Sequence, residues 1–268
     1  MPDKKTIDLL KNSGIENYLF ESKIIEEHVR KYNLELPDLD NIIKRRINRE
    51  PLQYILGEWE FYGDLYKLNK SCLIPRPETE FITEYIINNA KINSIALDLC
   101  SGSGCISISA LKRRKDMTAI LIDISPEAVN MSKENAGING VSGRTEFYCL
   151  DIMKDYLKIL EIIKNKINII VSNPPYLNKS DIEKIKREKT ELYHEPRAAF
   201  YGGEDGLDFY RFIIDNYSDA LRDNNIITIF ECGLNQSGDI IKMFEKIGFS
   251  WDIIRDYGNI ERVVIGRK

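Results

Sequence analysis

"SIALDLCSGSGCISIS", residues 94 to 109, is the stretch whose reading decides the fold. A short apolar run ends at Asp98, Leu99 and Cys100, two glycines follow at 102 and 104, and a helical pattern begins directly after them. That is a strand, a tight turn and a helix. Gly102 and Gly104 let the backbone turn sharply and approach a ligand without a Cβ in the way. The spacing departs from the dinucleotide fingerprint, because Ile106 and Ser107 stand where a third glycine would fall. With Asp98 just ahead of the loop, a pyrophosphate is a poor guest on charge grounds. An amino-acid ammonium or a sulfonium cation is a better one.

Outward from this segment the alternation continues to the end of the chain. Strands are predicted at 94–100, 118–124, 144–150, 167–173, 225–232, 249–256 and 262–267, with helices at 104–115, 126–139, 207–222 and 235–247. Strands alternating with helices imply a mostly parallel α/β sheet covered on both faces. The last two strands are joined only by "YGNIE", too short for a helical crossover, so they form an antiparallel hairpin. A seven-stranded sheet with an antiparallel last strand is a particular Rossmann-like architecture. The first fifty residues differ: apolar spacing at Ile7, Leu10, Leu19, Ile24 and Val29, a break at Gly14 and a restart after Pro37 predict a small bundle of short helices. "QYILGEWEFYGDLYKLNKSCLI" is aromatic and β-branched with Gly63-Asp64 as its turn, which predicts a β-hairpin over about 51–72. A helix is expected from near Glu78. The boundary falls at 72/73, with an N-terminal helical domain over 1–72 and the sheet domain over 73–268.

The chain has 268 residues, 43% hydrophobic and 30% charged, an ordinary composition for a soluble domain with a sizeable core. No apolar run approaches the ~18 residues of a membrane span, and "MPDKKTIDLLKNSG" carries no signal-peptide core. A cytoplasmic monomer without membrane partners is expected. Five scattered cysteines outside CxxC pairs argue against a disulfide framework or a zinc site, and no metal is expected. Two histidines make His-based triads improbable. The net charge of −4 disfavours stable nucleic-acid binding. "KRRINR" (44–49) and "KRRK" (112–115) are read as solvated helix surface.

Three further strand ends carry chemistry. Asp123 lies about twenty residues past the glycines, where a carboxylate accepts both hydroxyls of a ribose. Asp151 and Ile152 follow the third strand, where a carboxylate can take an adenine amino group while an apolar side chain covers the ring. With Asp98 and the loop from Cys100 and Ser101 through Gly102, Ser103 and Gly104, these residues describe a site for S-adenosyl-L-methionine. After the fourth strand comes "NPPY". Proline lacks an N–H and fixes φ, so Asn173, Pro174 and Pro175 form a stiff extended edge with free carbonyls. A planar NH2 group is a poor nucleophile. If its two hydrogens are held by the Asn173 side-chain oxygen and the Pro174 carbonyl, its lone pair can face a methyl group, and Tyr176 can stack on its plane. The sulfonium is a good leaving group, so no strong base is required.

These motifs resemble the glutamine methyltransferases that modify peptide chain release factors. The likeness covers nearly the whole chain: "EPLQYILGEWEFYG" (50–63), "LIPRPETE" (73–80), "DLCSGSGCISIS" (98–109), "NPPY" (173–176), "EPRAAFYGGEDGLDFYR" (195–211), "ECGLNQ" (231–236) and "RDYGNIERVVIGR" (255–267). It implies methyl transfer from S-adenosyl-L-methionine, leaving S-adenosyl-L-homocysteine, to the glutamine amide of the Gly-Gly-Gln tripeptide in release factors. It places the cofactor loop at Cys100 through Gly104, the ribose carboxylate at Asp123, the adenine side at Ile152 and the substrate clamp at Asn173, Pro174, Pro175 and Tyr176. The helical domain would help hold the release factor. Members of this family often have Gly-Thr where this chain has Cys100-Ser101.

Arg76, between two prolines, is assigned to the substrate mouth or cofactor lid. The stretch 177–206 reads as a long polar connection that covers the substrate, and His194 within it as a solvated loop residue. Trp59, Phe61 and Tyr62 are expected to pack between the domains. The competing reading is an amino methyltransferase acting on adenine or guanine of nucleic acid, which would need a base-flipping pocket and a basic recognition surface. A domain that only senses S-adenosyl-L-methionine is the non-enzymatic alternative.

Overall fold

The computed structural model describes residues 3–163, 166–188, 191–218 and 225–268. Four helices open the chain: α1 (Lys4–Asn12), α2 (Tyr18–Tyr32), α3 (Leu36–Ile47) and α4 (Leu52–Leu56). Gly14 breaks α1 from α2 with φ +70°, and Asn33 ends α2 in the left-handed region. Pro37 sits inside the first turn of α3, where its missing N–H costs nothing. Leu10, Ile15, Ile25, Ile42, Leu52 and Ile55 form the core of this bundle.

The hairpin is shorter than its sequence suggests. β1 (Glu58–Phe61) and β2 (Asp64–Lys67) pair antiparallel around Tyr62-Gly63, both with positive φ as a two-residue primed turn requires. Gln53, Tyr54 and Ile55 belong to α4 instead: the stretch ahead of Gly57 is apolar on two sides, and β-branching alone did not separate helix from strand. Trp59 packs against both the helical bundle and the cluster around Tyr54 and Ile74, whereas Phe61 and Tyr62 join the core of the large sheet. A 3₁₀ turn at Pro77–Thr79 then leads into α5 (Glu80–Asn89).

The large sheet holds β3 (Ile95–Leu99), β4 (Thr118–Asp123), β5 (Thr145–Cys149), β6 (Ile169–Ser172), β7 (Ile227–Glu231), β8 (Ser250–Arg255) and β9 (Glu261–Arg267), in the order β5-β4-β3-β6-β7-β9-β8. The first five are mutually parallel, and β9 is inserted antiparallel between β7 and β8. The period of two sorts the strands: Leu97, Leu99, Ile120, Ile122 and Ile170 enter the core on one face, and Ala96, Ala119, Leu121, Ile169 and Val171 the other. Both faces are dry, so these strands read as continuous apolar runs. Helices α6 (Cys105–Arg113), α7 (Pro126–Ile138), α8 (Tyr156–Ile163), α9 (Lys179–Glu188), α10 (Asp208–Ile213) and α11 (Ser237–Lys246) complete the chain, with a π turn at Ile214–Ser218 extending α10. The predicted helix at 207–222 is seen to Ser218; its end lies outside the described residues.

Strand order, not sequence order, positions the site. β6 pairs with β3, Ser172 opposite Leu99, so the chain after β6 emerges beside the glycine loop rather than beyond β5. The order reverses between β3 and β6, and that switch opens a crevice at the carboxyl ends of the strands. Among the described residues no helix is long and apolar enough to cross a membrane.

Candidate active site

A cavity of about 1110 Å³ fills this crevice. Four strand ends line it in turn: residues 100–103 after β3, 123–125 after β4, 150–154 around the end of β5, and Asn173 and Pro175 after β6. Leu73, Pro75 and Thr79 close one side and residues 196–199 another.

The loop after β3 is built almost wholly by backbone. Cys100, Gly102 and Gly104 have φ of +61°, +54° and +77°. Ser101 N–H donates to the Ile122 carbonyl at 3.0 Å and Gly104 N–H to Ser101 at 2.8 Å. From α7, Ser132 donates to the Gly102 carbonyl at 2.8 Å and Asn135 to that of Ser103 at 3.0 Å. The two glycines do different things. Gly102 lines the cavity, and a Cβ there would meet only Cys72 Cβ at 3.8 Å. Gly104 caps α6 behind the loop, where a Cβ would lie 2.7 Å from Ile108, 3.0 Å from Ser132 and 3.1 Å from Leu121.

Asp98 does not reach the cavity wall. It is buried beneath the loop, accepting from the Ser107 hydroxyl at 2.7 Å with its other oxygen unpartnered, and burial pushes its carboxyl up to about 7. Asp123 does face the cavity; Gly102 N–H and Ser125 N–H hold its two oxygens at 2.8 and 2.9 Å. Burial raises its pKa against the pull of these N–H groups. Asp151 lies at the wall, but its carboxylate already accepts from Met153 and Lys154 N–H at 2.9 and 3.2 Å. Burial works to raise its pKa, yet those donors and the Lys154 ammonium hold it below the ordinary value. Ile152 beside it is buried and apolar against the cavity.

At the fourth strand end Asn173 Nδ2 donates to the Thr79 hydroxyl at 3.3 Å, and Asn173 Oδ1 is buried with no hydrogen-bond partner. Pro174 is buried just behind it, and Tyr176 packs against the larger core cluster with its hydroxyl pKa raised by burial. The donor set therefore suits a nucleoside with a positively charged tail: carboxylate at one strand end, apolar wall at the next, backbone between. One buried amide oxygen is left over for a second molecule.

Residues 78–191 match the Methyltransferase small domain family. The chain is 36% identical over 236 residues to a "Release factor glutamine methyltransferase" of Thermodesulfovibrio yellowstonii, covering 86% of this chain and 81% of that one. With the protein of the same name from Clostridium acetobutylicum it shares 31% over 278 residues, covering 97% and 95%. The chain belongs to the release factor glutamine methyltransferase family. Solved structures add the fold alone: the hMettl16 catalytic domain in complex with MAT2A 3'UTR hairpin 6 superposes with a TM-score of 0.58 at 14% identity over 75% of this chain and 74% of that one. A methyltransferase from Pyrococcus furiosus superposes at 0.53, with 15% identity over 78% and 90%.

Within this glutamine methyltransferase the departure at Cys100 has a physical reading. A left-handed residue with a Cβ costs roughly 1–2 kcal/mol that glycine would not bear, so the loop keeps its shape at some strain. Arg76 is not among the residues that line the cavity. Its guanidinium pairs with the buried Glu195 carboxylate at 2.5 Å, and Ile74 N–H donates to the other Glu195 oxygen at 3.0 Å. Nothing local in the sequence marks Glu195; Arg76 is tied to it because an unpaired buried carboxylate would be costly.

The stretch 177–206 is not a structureless cover. It contains α9, two 3₁₀ turns at Glu191–His194 and Arg197–Ala199, and a bridge pairing Leu177 with Tyr201. Residues 196–199 do line the cavity, but the glycines behind them back the "NPPY" edge. A Cβ on Gly202 would sit 2.5 Å from the Pro175 carbonyl, and one on Gly206 2.3 Å from that of Tyr176. Gln236 Nε2 donates to the Tyr176 carbonyl at 2.9 Å. The basic clusters are solvated only in part: Lys44, Arg49, Arg113 and Lys115 are exposed, while several members are engaged by carboxylates. Arg45 pairs with Glu50, the buried Arg46 with Glu21 and Glu191, Lys112 and Arg113 with Asp64, and Arg114 with Asp116.

Proposed function

We propose that this enzyme transfers the methyl group of S-adenosyl-L-methionine to the side-chain amide nitrogen of the glutamine in the Gly-Gly-Gln segment of peptide chain release factors. The observation that carries the reading is Asn173 on the wall of the crevice cavity, its amide oxygen buried and without a hydrogen-bond partner. Bound there, the cofactor supplies an electrophilic methyl on a sulfonium and leaves as S-adenosyl-L-homocysteine.

The protein's own residues do the rest. Asp123 would orient the ribose, and the backbone from Cys100 to Ser103, held from behind by Gly104, would shape the wall around the amino-acid tail. Ile152 covers the adenine. Asp151 contributes its wall position; with one oxygen committed to two N–H groups, it has less capacity for the adenine amine than its place in the sequence implies. Asn173 Oδ1 and the Pro174 carbonyl would accept the two amide hydrogens of the substrate, turning the nitrogen towards the methyl. On methylation the nitrogen sheds one of those hydrogens as a proton to solvent. The prolines and the glycines packed behind them keep that edge from yielding. In this reading residues 1–72 hold the release factor, 73–268 hold the cofactor, and the enzyme acts as a monomer in the cytoplasm.

Transfer to a nucleic-acid base is disfavoured because the arginine clusters that would meet phosphates are engaged by carboxylates. The deciding assay is incorporation of labelled methyl into a purified release factor, into the same factor with its Gly-Gly-Gln glutamine changed to alanine, and into DNA and RNA. Label on the native factor alone supports the assignment. Equal label on the alanine variant, or transfer only to nucleic acid, overturns it.

A further inference from the structure

Glu231 ends β7 beside Asn173 and is 3% exposed, an acidic side chain with no place in the site described so far. Its Oε2 accepts from the Thr79 hydroxyl at 2.5 Å. The Thr79 oxygen in turn receives the Asn173 Nδ2 donor at 3.3 Å. A proton count follows. A carboxylate can only accept, and a hydroxyl has one proton to give. Once Glu231 has taken that proton, Thr79 can only accept from Asn173, so it faces the NH2 end of the amide. The oxygen end is thereby turned away from Thr79, and it is found buried without a partner in a residue that lines the cavity.

We propose that Glu231, acting through Thr79, is a positioning residue that fixes the Asn173 amide with its oxygen towards the substrate. The inference rests on the reading of Asn173 as acceptor for the substrate amide. The two orientations of a carboxamide are nearly identical in shape, so packing alone does not choose between them. The flipped one would present N–H groups to a substrate whose own N–H groups need acceptors. The relay removes that orientation before the substrate arrives.

Protonation of Glu231 undoes the logic, because the acid can donate to Thr79 and release the threonine proton towards Asn173. Burial pushes this carboxyl up to about 7, with Glu78 adding to the rise; the Thr79 hydrogen bond, the Arg262 charge and a weaker direct pull from the Asn173 NH2 oppose it. That direct pull orients the amide in the same sense as Thr79. Besides Glu78 before α5 and Arg262 on β9, the titratable groups around it are Tyr176, Tyr210, Cys105 and Cys232. Burial moves all four away from neutrality.

The test is a set of variants assayed on a purified release factor with saturating cofactor. Thr79→Val, close in shape, should lower kcat by roughly 10- to 100-fold, while S-adenosyl-L-homocysteine affinity by calorimetry stays within about two-fold. Thr79→Ser should restore most of the rate. Wild-type kcat should fall as pH drops below about 7, and Glu231→Gln, neutral throughout, should lose that acid limb. In the nuclear magnetic resonance spectrum, the Asn173 side-chain NH2 should exchange slowly in the wild type and fast in Thr79→Val. A Thr79→Val enzyme at the wild-type rate, a Thr79→Ser enzyme as poor as the valine variant, or an acid limb that persists in Glu231→Gln each overturns the relay. A wild-type enzyme with no activity on any release factor would instead sink the proposed function.

Discussion

Gly102 and Gly104 stand two residues apart in one loop, yet substituting alanine should break different things. At Gly104 φ is +77°, and the added methyl would arrive 2.7 Å from Ile108 Cδ1, 3.0 Å from Ser132 Oγ and 3.1 Å from Leu121 Cδ2. The left-handed backbone costs about 1–2 kcal/mol for alanine. Forcing a methyl into a filled space costs about 1–3 kcal/mol. The stiffer unfolded chain returns roughly 0.4–1 kcal/mol. The net is about 2–4 kcal/mol, which at ~2–4 °C per kcal/mol lowers Tm by some ~4–16 °C. Gly104 lies behind the loop, so the folded fraction should bind S-adenosyl-L-homocysteine almost normally. Gly102→Ala meets only one atom, at 3.8 Å, and carries the backbone cost alone. Its methyl enters the cavity, so Tm should move little while affinity drops by about 10-fold or more. Calorimetric melting and ligand titration of both variants read the two quantities separately. A Gly104→Ala protein with native Tm and lost affinity would refute this division of labour.

Asn173→Ala should abolish turnover and leave cofactor affinity within a few-fold, measured by methyl incorporation beside calorimetry; turnover at the wild-type rate would remove the clamp. Glu231, raised from 4.5 to about 7 by burial, contributes to the pH dependence of stability beside Asp98, raised from 3.8 to about 7. A raised carboxyl contributes stability that is complete below the unfolded value and lost as pH climbs through the folded one. About 3 kcal/mol from Glu231 should therefore disappear between pH 4.5 and 7, and urea titrations should find this loss reduced in Glu231→Gln. Arg76→Ala strands the Glu195 carboxylate with one N–H donor and should cost about 3–5 kcal/mol. Limited proteolysis should then cut residues 191–201 sooner than in the wild type.

Much of this was legible in the chain itself. All seven strands of the large sheet lie within a residue or two of the runs read from the sequence; the central ones, covered on both faces, leave an unbroken apolar signature, whereas β5 and β8 at the edges are partly exposed. What the sequence did not show was adjacency. Nothing local to "NPPY" says that β6 lies against β3, yet that pairing brings Asn173 beside the glycine loop. Thr79 and Glu231 were invisible for the same reason: they are separated by 152 positions and meet only because α5 and β7 converge. At 44–49 and 112–115 the exposed Lys44, Arg49 and Lys115 face water, as charge runs usually do. The carboxylate partners of Arg46 and Arg113 lie too far off in sequence to be read from it. Helix α9 went unread because its polar residues outnumber a sparse apolar face of which only Ile182 is buried.

The two halves of the crevice are held by different physics. On the cofactor side, backbone N–H groups grip Asp123 and Asp151, and helix α7 grips the loop carbonyls. Such a wall depends on chain path more than on side-chain identity, which is why Cys100 can occupy a left-handed position and leave the loop closed. On the Asn173 side the chain path is fixed by prolines and close-packed glycines, and in the proposed mechanism the chemistry rests on one amide whose two ends are nearly identical in shape. Packing cannot tell those ends apart; a hydroxyl committed to a carboxylate can. Chemistry that depends on holding a neutral NH2 by its hydrogens therefore places its buried charge one residue back from the substrate. There it sets direction without adding a net charge beside the reacting nitrogen.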